Sequence, residues 1–501
     1  MCARATCSSA KGSQLSAQDL PVSGVANKGP GANWYYTRPR RGPEERAFQY
    51  PADPVMVVGW DTDNDGKYPP FDTDQPEPLV FDACAVADCS SGTIAALGFS
   101  TASDKDQIEV AHFTMRNYGR GGEVPAASIS LRGTGTKTGL YFHDIVIEKP
   151  NYRLDDFTSR AAIYMMMSAS RLQWLSVENV RISEYGSWSV RGSANGENLR
   201  FRNMDLLSPS PNVGGNSTGF KVWHQNNAEY LSIKFDADIE HGGVGSQAMW
   251  ASTSSSNTVF RNNFFRNCAR CLSLEYRVCN SGDQSYCPAP GGQTTSRNIL
   301  IDRNTYLVDN PSLNNARNAF IVARAMAADG DERGKVLRLS DPNCTGAIGL
   351  ADLTIRNNVF VQKAGTTRAL AFKIGSNCAA APLGPVTIEN NTFTVNPNAG
   401  PSQPTIRIGH EDLYDYDYRY YAESYFVRNN VFSGHEGDPV VSMMHRGDDG
   451  YYGASKFPTN FVSTSNSYGG SPLFTRALSS YSSLSAWQPA PRSASASDAC
   501  T

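Results

Sequence analysis

Short runs of alternating apolar and polar residues recur along most of the chain, and each run enters a two-residue turn that most often contains asparagine. Residues 353–356 before the turn Asn357-Asn358 and residues 359–361 after it are typical. Alternation with a period of two predicts β-strands that are buried on one face. The repeated turn reads, in chain order, His112-Phe113, His143-Asp144, Glu178-Asn179, Arg202-Asn203, Phe235-Asp236, Asn262-Asn263, Arg303-Asn304, Asn357-Asn358, Asn390-Asn391 and Asn429-Asn430.

The spacing of these turns is irregular around a near-constant core. From Asp144 to Asn430, the second turn residues are 35, 24, 33, 27, 41, 54, 33 and 39 positions apart. This predicts stacked coils with loops of unequal length. Asparagine tolerates the left-handed backbone of a tight corner, and its amide can donate and accept hydrogen bonds between coils. Ordinary hairpin turns are the alternative, but those favour Asn-Gly or Asp-Gly, which none of these corners contains.

The predicted fold is therefore all-β, a single-stranded right-handed parallel β-helix of about ten or more coils with an asparagine ladder. A solenoid of this kind grows by adding coils, so 501 residues need no second core. We expect a tether or cap at 1–44, the β-helix at 45–490 and a tail at 491–501. A net charge of -3 favours no nucleic-acid partner, and no continuous apolar run is long enough to predict a membrane span.

Eleven cysteines indicate an oxidising compartment. Zinc binding is the alternative for Cys268-Ala-Arg-Cys271, although no nearby His-Cys pair completes the usual ligand set. No apolar stretch follows Met1, so we expect no signal peptide within this sequence and a protein that is secreted, periplasmic or at the cell surface. The cysteine pairs predicted as disulfides are Cys84/Cys89, Cys268/Cys271, Cys279/Cys287 and Cys344/Cys378.

The first strand of each coil carries a stripe of outward, mostly basic residues. Like charges stacked about 5 Å apart on adjacent coils repel each other unless an anion or an acidic loop lies over them. The alternative is a solvated face whose long side chains cover apolar surface. The predicted stripe comprises Arg132, Arg191, Lys221, Trp223, Glu275, Arg277, Lys373 and Arg407, and Arg324 is expected to join it.

Three segments, residues 54–60, 106–119 and 481–488, resemble the opening strand, first full coil and closing segment of known β-helix proteins. The chain thus resembles the right-handed parallel β-helix proteins that act on polysaccharides, namely polysaccharide lyases and polygalacturonase-like glycoside hydrolases. The resemblance implies that substrate lies along the sheet of first strands. The Gly-His-Gly and Arg-Ile-Lys elements of the hydrolases are absent, and residues 249–257 lack the lysine of alginate and chondroitin lyases. No individual family is identified.

The basic stripe favours cleavage of an acidic, uronate-containing glycan by β-elimination. Such chemistry needs a base and cations that neutralise the carboxylate, and the predicted catalytic residues are Lys221, His224, Glu275 and Arg277. The alternative is hydrolysis, in which Glu275 works with a second carboxylate. Candidates for that partner are Asp236, Asp238, Glu240, Glu411 and Asp412. A structural role, such as a Glu275–Arg277 ion pair, is open for each of these residues.

Further residues on or near the stripe are predicted to bind the substrate, because sugar rings stack on aromatic side chains and carboxylates pair with cations. These residues are Arg191, Trp223, Trp250, Arg324, Lys373, Arg407 and His410. A non-catalytic glycan-binding solenoid, which would typically be a trimer, is the remaining alternative; we expect a monomer. Asp61, Asp63 and Asp65 match the first half of a calcium loop, or form a polar insertion. No cofactor is predicted beyond this Ca²⁺.

Overall fold

The structure is a computed structural model that describes the strands and their adjoining turns. The described residues are 14–15, 34–35, 55–57, 80–82, 97–100, 105–117, 128–132, 137–150, 161–166, 171–185, 188–192, 195–207, 218–223, 225–236, 247–252, 255–268, 270–277, 295–309, 319–326, 349–363, 370–376, 384–395, 405–408, 410–411, 417–418, 424–434, 439–443, 460–469, 473–476, 479–481, 486 and 499–500. The chain divides into two compact units, Met1–Gly243 and Val244–Thr501, called here the N-terminal and C-terminal units. Among these residues, no helix is both long and apolar enough to cross a membrane.

The N-terminal unit contains fifteen strands in its described part. They are β1 Gln14–Leu15, β2 Trp34–Tyr35, β3 Val55–Val57, β4 Val80–Asp82, β5 Leu97–Ser100, β6 Lys105–Arg116, β7 Ile129–Arg132, β8 Lys137–Glu148, β9 Ala161–Met166, β10 Arg171–Ser183, β11 Trp188–Gly192, β12 Asn195–Leu207, β13 Thr218–Trp223, β14 Gln225–Leu231 and β15 Lys234–Asp236.

The strands of the C-terminal unit follow in the same order of short segments. They are β16 Gln247–Ser252, β17 Ser256–Arg261, β18 Phe264–Arg266, β19 Arg270–Arg277, β20 Thr295–Asp302, β21 Thr305–Val308, β22 Ala319–Met326, β23 Gly349–Arg356, β24 Val359–Gln362, β25 Leu370–Ser376, β26 Val386–Glu389, β27 Thr392–Thr394, β28 Ile406–Ile408, β29 His410–Glu411, β30 Asp417–Tyr418, β31 Ser424–Arg428, β32 Val431–Ser433, β33 Pro439–Met443, β34 Asn460–Thr464, β35 Ser467–Tyr468, β36 Leu473–Arg476, β37 Ser479–Tyr481 and β38 Ala499–Cys500.

Each strand pairs in parallel with the equivalent strand of the next coil. In the N-terminal unit, β5, β7, β9, β11 and β13 form one sheet, called the first-strand sheet. The longer strands β6, β8, β10 and β12, followed by β14 and β15, form the second sheet. In the C-terminal unit, β16, β19, β22, β25, β28, β33 and β36 repeat the first-strand pattern. These pairings confirm the predicted parallel β-helix.

A column of corner residues with positive φ turns the chain on successive coils. Asp144, with a φ of 51°, and Asn262, with a φ of 56°, are typical members. Asn and Asp adopt this left-handed conformation more readily than most residues. The predicted corner Phe235-Asp236 is wrong: both residues lie in β15, and the corner is Ser232, with a φ of 55°. The column is His112, Asp144, Asn179, Asn203, Ser232, Asn262, Arg303, Asn357, Asn390, Asn429 and Ser465.

The asparagine ladder is present in the C-terminal unit. Each ladder amide donates to the side-chain oxygen of the next asparagine; the Asn304 Nδ2 to Asn358 Oδ1 distance is 2.9 Å, and Asn358 Nδ2 to Asn391 Oδ1 is 3.0 Å. All ladder residues are buried. The full ladder is Asn263, Asn304, Asn358, Asn391, Asn430 and Asn466.

The described corners of the N-terminal unit have no such ladder, so the prediction fails there. The residue that follows each corner is apolar and buried, because the single asparagine of the turn occupies the positive-φ position and not the inward one. The inward residues are Phe113, Ile145, Val180, Met204 and Ile233.

An aromatic stack fills the interior of the C-terminal unit beside the ladder. Parallel pairing brings equivalent side chains of successive coils face to face, with ring centroids 4.7 to 5.3 Å apart. Its members are Phe265, Tyr306, Phe360, Phe393, Phe432 and Tyr468, all buried.

Candidate functional site

Four side chains gather on the first-strand sheet of the N-terminal unit. Arg191 in β11 is the register partner of Tyr164 in β9 and of Lys221 in β13. Neighbouring strands lie about 4.8 Å apart, so these three residues form a row across successive coils. Trp188 begins β11 and completes the group, called here the cation–aromatic cluster.

The rings of this cluster hold its two cations. The Arg191 guanidinium carbon lies 4.3 Å from the centroid of the Trp188 ring and 6.0 Å from that of Tyr164. The Lys221 Nζ lies 5.4 Å from the Trp188 centroid. Such contacts contribute about 0.5 to 2 kcal/mol each, with the larger values at desolvated sites. Trp188 and Arg191 are each 7% exposed, so the guanidinium is fixed in place, while Lys221 is half-buried.

Two adjacent cations on a β-sheet are suited to an anionic ligand. A guanidinium stays charged at all ordinary pH values, and its planar donors can bind a carboxylate with two hydrogen bonds. The neighbouring ammonium adds a second positive charge about one strand spacing away. Arg191 and Lys221 are therefore the described members of the predicted basic stripe that the structure brings together.

The other predicted catalytic residues fall outside this group. Glu275 and Arg277 lie in β19 of the C-terminal unit, where Glu275 pairs in register with Ser252 and Arg324. Their side chains, like that of Arg324, lie outside the described part of the structure, as does all of His224. The four-residue centre built from Lys221, His224, Glu275 and Arg277 stays a prediction.

The predicted binding residues of the C-terminal unit are described by their backbones alone. Lys373 in β25 is the register partner of Val322 and Arg407, so two basic positions lie on adjacent coils. Trp250 lies in β16 and His410 in β29. The side chains of these residues, and that of Trp223 in β13, are outside the described part, and so are Asp61, Asp63 and Asp65.

Sequence reasoning missed the aromatic half of the cluster. Trp188 is three positions before Arg191, a spacing that strict alternation does not place on one face. Tyr164 lies in the apolar run Ala161–Met166, which hides the alternation. A register alignment of residues 161–166 with 188–192 would have paired Tyr164 with Arg191.

A second polar cluster lies at the corner of the second sheet. His143 Nδ1 is 2.6 Å from Asp144 Oδ2, and His112 Nδ1 is 3.6 Å from the same oxygen. Asn179 donates a hydrogen bond from Nδ2 to the other oxygen, Asp144 Oδ1. Burial alone would raise the pKa of the Asp144 carboxyl, but the hydrogen bond and charge of His143, with smaller effects of His112 and Asn179, hold that pKa below its usual range.

The two sulfur atoms of Cys268 and Cys271 are 1.94 Å apart, within bonding distance, and both residues are buried. This geometry agrees with the predicted pair and not with the zinc alternative, in which the two sulfurs would be separate ligands. The other predicted cysteine pairs lie outside the described residues.

No protein-family model and no curated protein matches the sequence. Among solved structures, the surface adhesin PfbA of Streptococcus pneumoniae is 10% identical with a TM-score of 0.42, over 79% of this chain and 88% of that chain. The tailspike protein of E. coli bacteriophage HK620, solved with a pentasaccharide, is 11% identical with a TM-score of 0.37, over 79% of this chain and 64% of that chain. At such low identities and TM-scores, these likenesses carry no argument about what the chain binds.

Proposed function

We propose that this chain binds an acidic polysaccharide across the first strands of its coils and cleaves it by β-elimination. The observation that carries the proposal is the cation–aromatic cluster, in which Arg191 and Lys221 stand side by side on adjacent strands beside Trp188. A solenoid offers an equivalent position on every coil, so an extended polymer can repeat the same contact along the sheet.

The chemistry follows from the charges. Removal of the C5 proton of a uronate leaves negative charge on the carboxylate group, and fixed cations stabilise that charge. Arg191, held by two aromatic rings, is suited to this task because it needs little reorganisation during the reaction. Lys221 or His224 would supply the base. Glu275 and Arg277 remain proposed participants.

A binding protein without catalysis is the second candidate. Arg191 and Trp188 are almost fully buried, which suits a fixed electrostatic contact better than proton transfer. The eleven cysteines, together with the Cys268 and Cys271 sulfurs, support a location outside the cytosol, either secreted, periplasmic or at the cell surface.

The binding proposal is tested by titrating polygalacturonate, alginate and neutral dextran into the protein and into Lys221→Gln. We expect this substitution to weaken polyuronate binding about tenfold, equivalent to about 1.4 kcal/mol, and to reduce its salt dependence. Lys234→Gln is the matched control, because Lys234 is an exposed lysine of the same unit in β15. Equal affinity in all three proteins, or tight binding of dextran, would contradict the proposal.

The reaction is tested separately on the same polymers. β-Elimination produces reducing ends together with the ultraviolet absorbance of an unsaturated uronate. Reducing ends without that absorbance would show hydrolysis, and Glu275→Gln would then be the variant to compare. Polyuronate binding with neither product would identify a binding protein.

A further inference from the structure

His112, His143 and Asp144 lie together where β6 and β8 turn the same corner on successive coils. The register pairs that flank the corner, Ala111 with His143 and Phe113 with Ile145, place His112 level with Asp144. Both corner residues have positive φ, 62° for His112 and 51° for Asp144. The turn therefore fixes the backbone positions from which the three side chains meet.

One ligand atom from each of the three residues lies within 4.8 Å of the other two. The two distances to Asp144 Oδ2 are 2.6 Å from His143 and 3.6 Å from His112. Two ligand atoms on a tetrahedral zinc ion are separated by roughly 3.3 Å, given zinc–ligand bonds of about 2.0 to 2.1 Å. The observed distances bracket that separation, so small side-chain rotations would accommodate an ion.

We propose that His112, His143 and Asp144 bind one divalent transition-metal ion of the zinc type. Two imidazole nitrogens and one carboxylate oxygen are a donor set that suits Zn²⁺ and its neighbours, and not Ca²⁺, which prefers oxygen alone. Three protein ligands leave at least one coordination position for water or another ligand. The ion would join two successive coils of the second sheet, away from the strands that carry Arg191 and Lys221.

The surroundings of the cluster orient its ligands. Asn179, at the same corner of the next coil, donates to Asp144 Oδ1 and leaves Oδ2 directed toward both histidines. Tyr141 stacks on the His143 ring with centroids 4.2 Å apart. Partners of this kind fix the ring and carboxylate orientation in metal sites, and their loss commonly weakens metal binding by about 10- to 100-fold. The histidines are each 13% exposed and Asp144 is 25% exposed, so an ion can enter from solvent.

Cobalt spectroscopy on the full chain tests the proposal. We expect one equivalent of Co²⁺ to give visible d–d bands of a four- or five-coordinate ion, without the near-ultraviolet charge-transfer band of a cysteine thiolate. Zn²⁺ should displace the cobalt. His143→Gln and Asp144→Asn should each weaken binding by at least about 100-fold, and Asn179→Gly by about 10- to 100-fold. Glycine and asparagine tolerate the positive φ of these corners.

His435→Gln, which alters a histidine outside the cluster, is the matched control and should bind Co²⁺ as the parent chain does. Circular dichroism of each variant reports whether the β-helix has folded. If a cluster variant does not fold, the parent protein still decides the question: absence of one-equivalent binding, or a thiolate band in its cobalt spectrum, overturns the proposal. Unchanged affinity in folded His143→Gln overturns it equally.

Discussion

Each amide of the asparagine ladder satisfies several buried partners at once. The Asn358 amide donates to Asn391 Oδ1 and to the Ile301 carbonyl, each at 3.0 Å, and its oxygen accepts from the backbone and side chain of Asn304. Asn358→Ala leaves these partners buried without hydrogen bonds, so we expect it to lower the free energy of unfolding by about 3 kcal/mol or more. Asn390→Gly, at an exposed corner with a φ of 56°, should change it by less than about 1 kcal/mol. Denaturant unfolding of both variants checks this, and similar losses would contradict it.

A buried carboxylate gives the C-terminal unit a predictable response to acid. Asp302 is fully buried, and its oxygens lie 3.0 to 3.3 Å from the Nε atoms of Arg261, Arg303 and Arg356. Burial alone would raise the pKa of Asp302, but hydrogen bonds from Asn357 and Arg303 and the charges of Arg356 and Arg303 lower it below 3.8. A lowered pKa stabilises the fold above the unfolded-state value, and this contribution is lost as the pH falls through the folded-state value.

Asp302→Asn should therefore cost about 3 kcal/mol at neutral pH, because it leaves arginines without their buried counter-charge. It should also flatten the decline in stability below about pH 4, where the native carboxylate becomes protonated. Urea unfolding between neutral and acid pH measures both effects. Asp205→Asn is the control, since Asp205 is 40% exposed and pairs with Arg181 at 3.6 Å. Parallel pH curves for the parent chain and Asp302→Asn would contradict the assignment.

At the scale of elements, the aromatic stack links successive short strands that would be unstable alone. The Phe360 ring, in β24, stacks on Tyr306 at 4.7 Å and on Phe393 at 4.8 Å. Phe360→Ala removes both contacts and opens a cavity, so we expect a loss of about 3 to 5 kcal/mol in unfolding free energy. Val359→Ala is the matched control, because the neighbouring Val359 is 39% exposed and should cost less than about 1 kcal/mol. Thermal unfolding compares them, and equal shifts would show that the stack contributes little.

The elements also show which parts of the fold can be predicted from sequence. Doubled asparagines, as in Asn357-Asn358, specify both the positive-φ corner and the inward amide, so corner and ladder are readable together. Glu178-Asn179 specifies the corner alone, and the buried Val180 follows it. Ser232 carries no strong turn signal, which is why the nearby Asp236 was mistaken for the corner.

An additional corner column, five residues before the first, was not predicted. It includes Asn198, Asn227 and Asn257, and amide bonds such as Asn227 Nδ2 to Asn198 Oδ1 at 2.6 Å join its members. Single asparagines within strands of alternating pattern give no turn signal, because a strand bends there without interrupting its apolar period. In the same way, Trp188 joined the cation–aromatic cluster only once the register with Tyr164 and Lys221 was known.

At the scale of the whole molecule, the distribution of exposed apolar residues bears on assembly. In the described part of the chain, the exposed large hydrophobic residues are Val359 and Val431, both following a corner of the C-terminal unit. Thr392 lies between them in register, so the apolar row is interrupted by a hydroxyl. Stable oligomers of elongated proteins normally bury larger continuous apolar surfaces than isolated valines provide.

We therefore predict that the protein sediments as a monomer of 54.4 kDa at micromolar concentration. Sedimentation velocity at low and physiological ionic strength measures this, and Val431→Lys is an informative variant because a charge on that surface would disrupt any contact made through it. The sedimentation coefficient should be the same for both proteins at every concentration. A stable trimer that dissociates in Val431→Lys would contradict the prediction and would favour the glycan-binding solenoid over the monomeric enzyme.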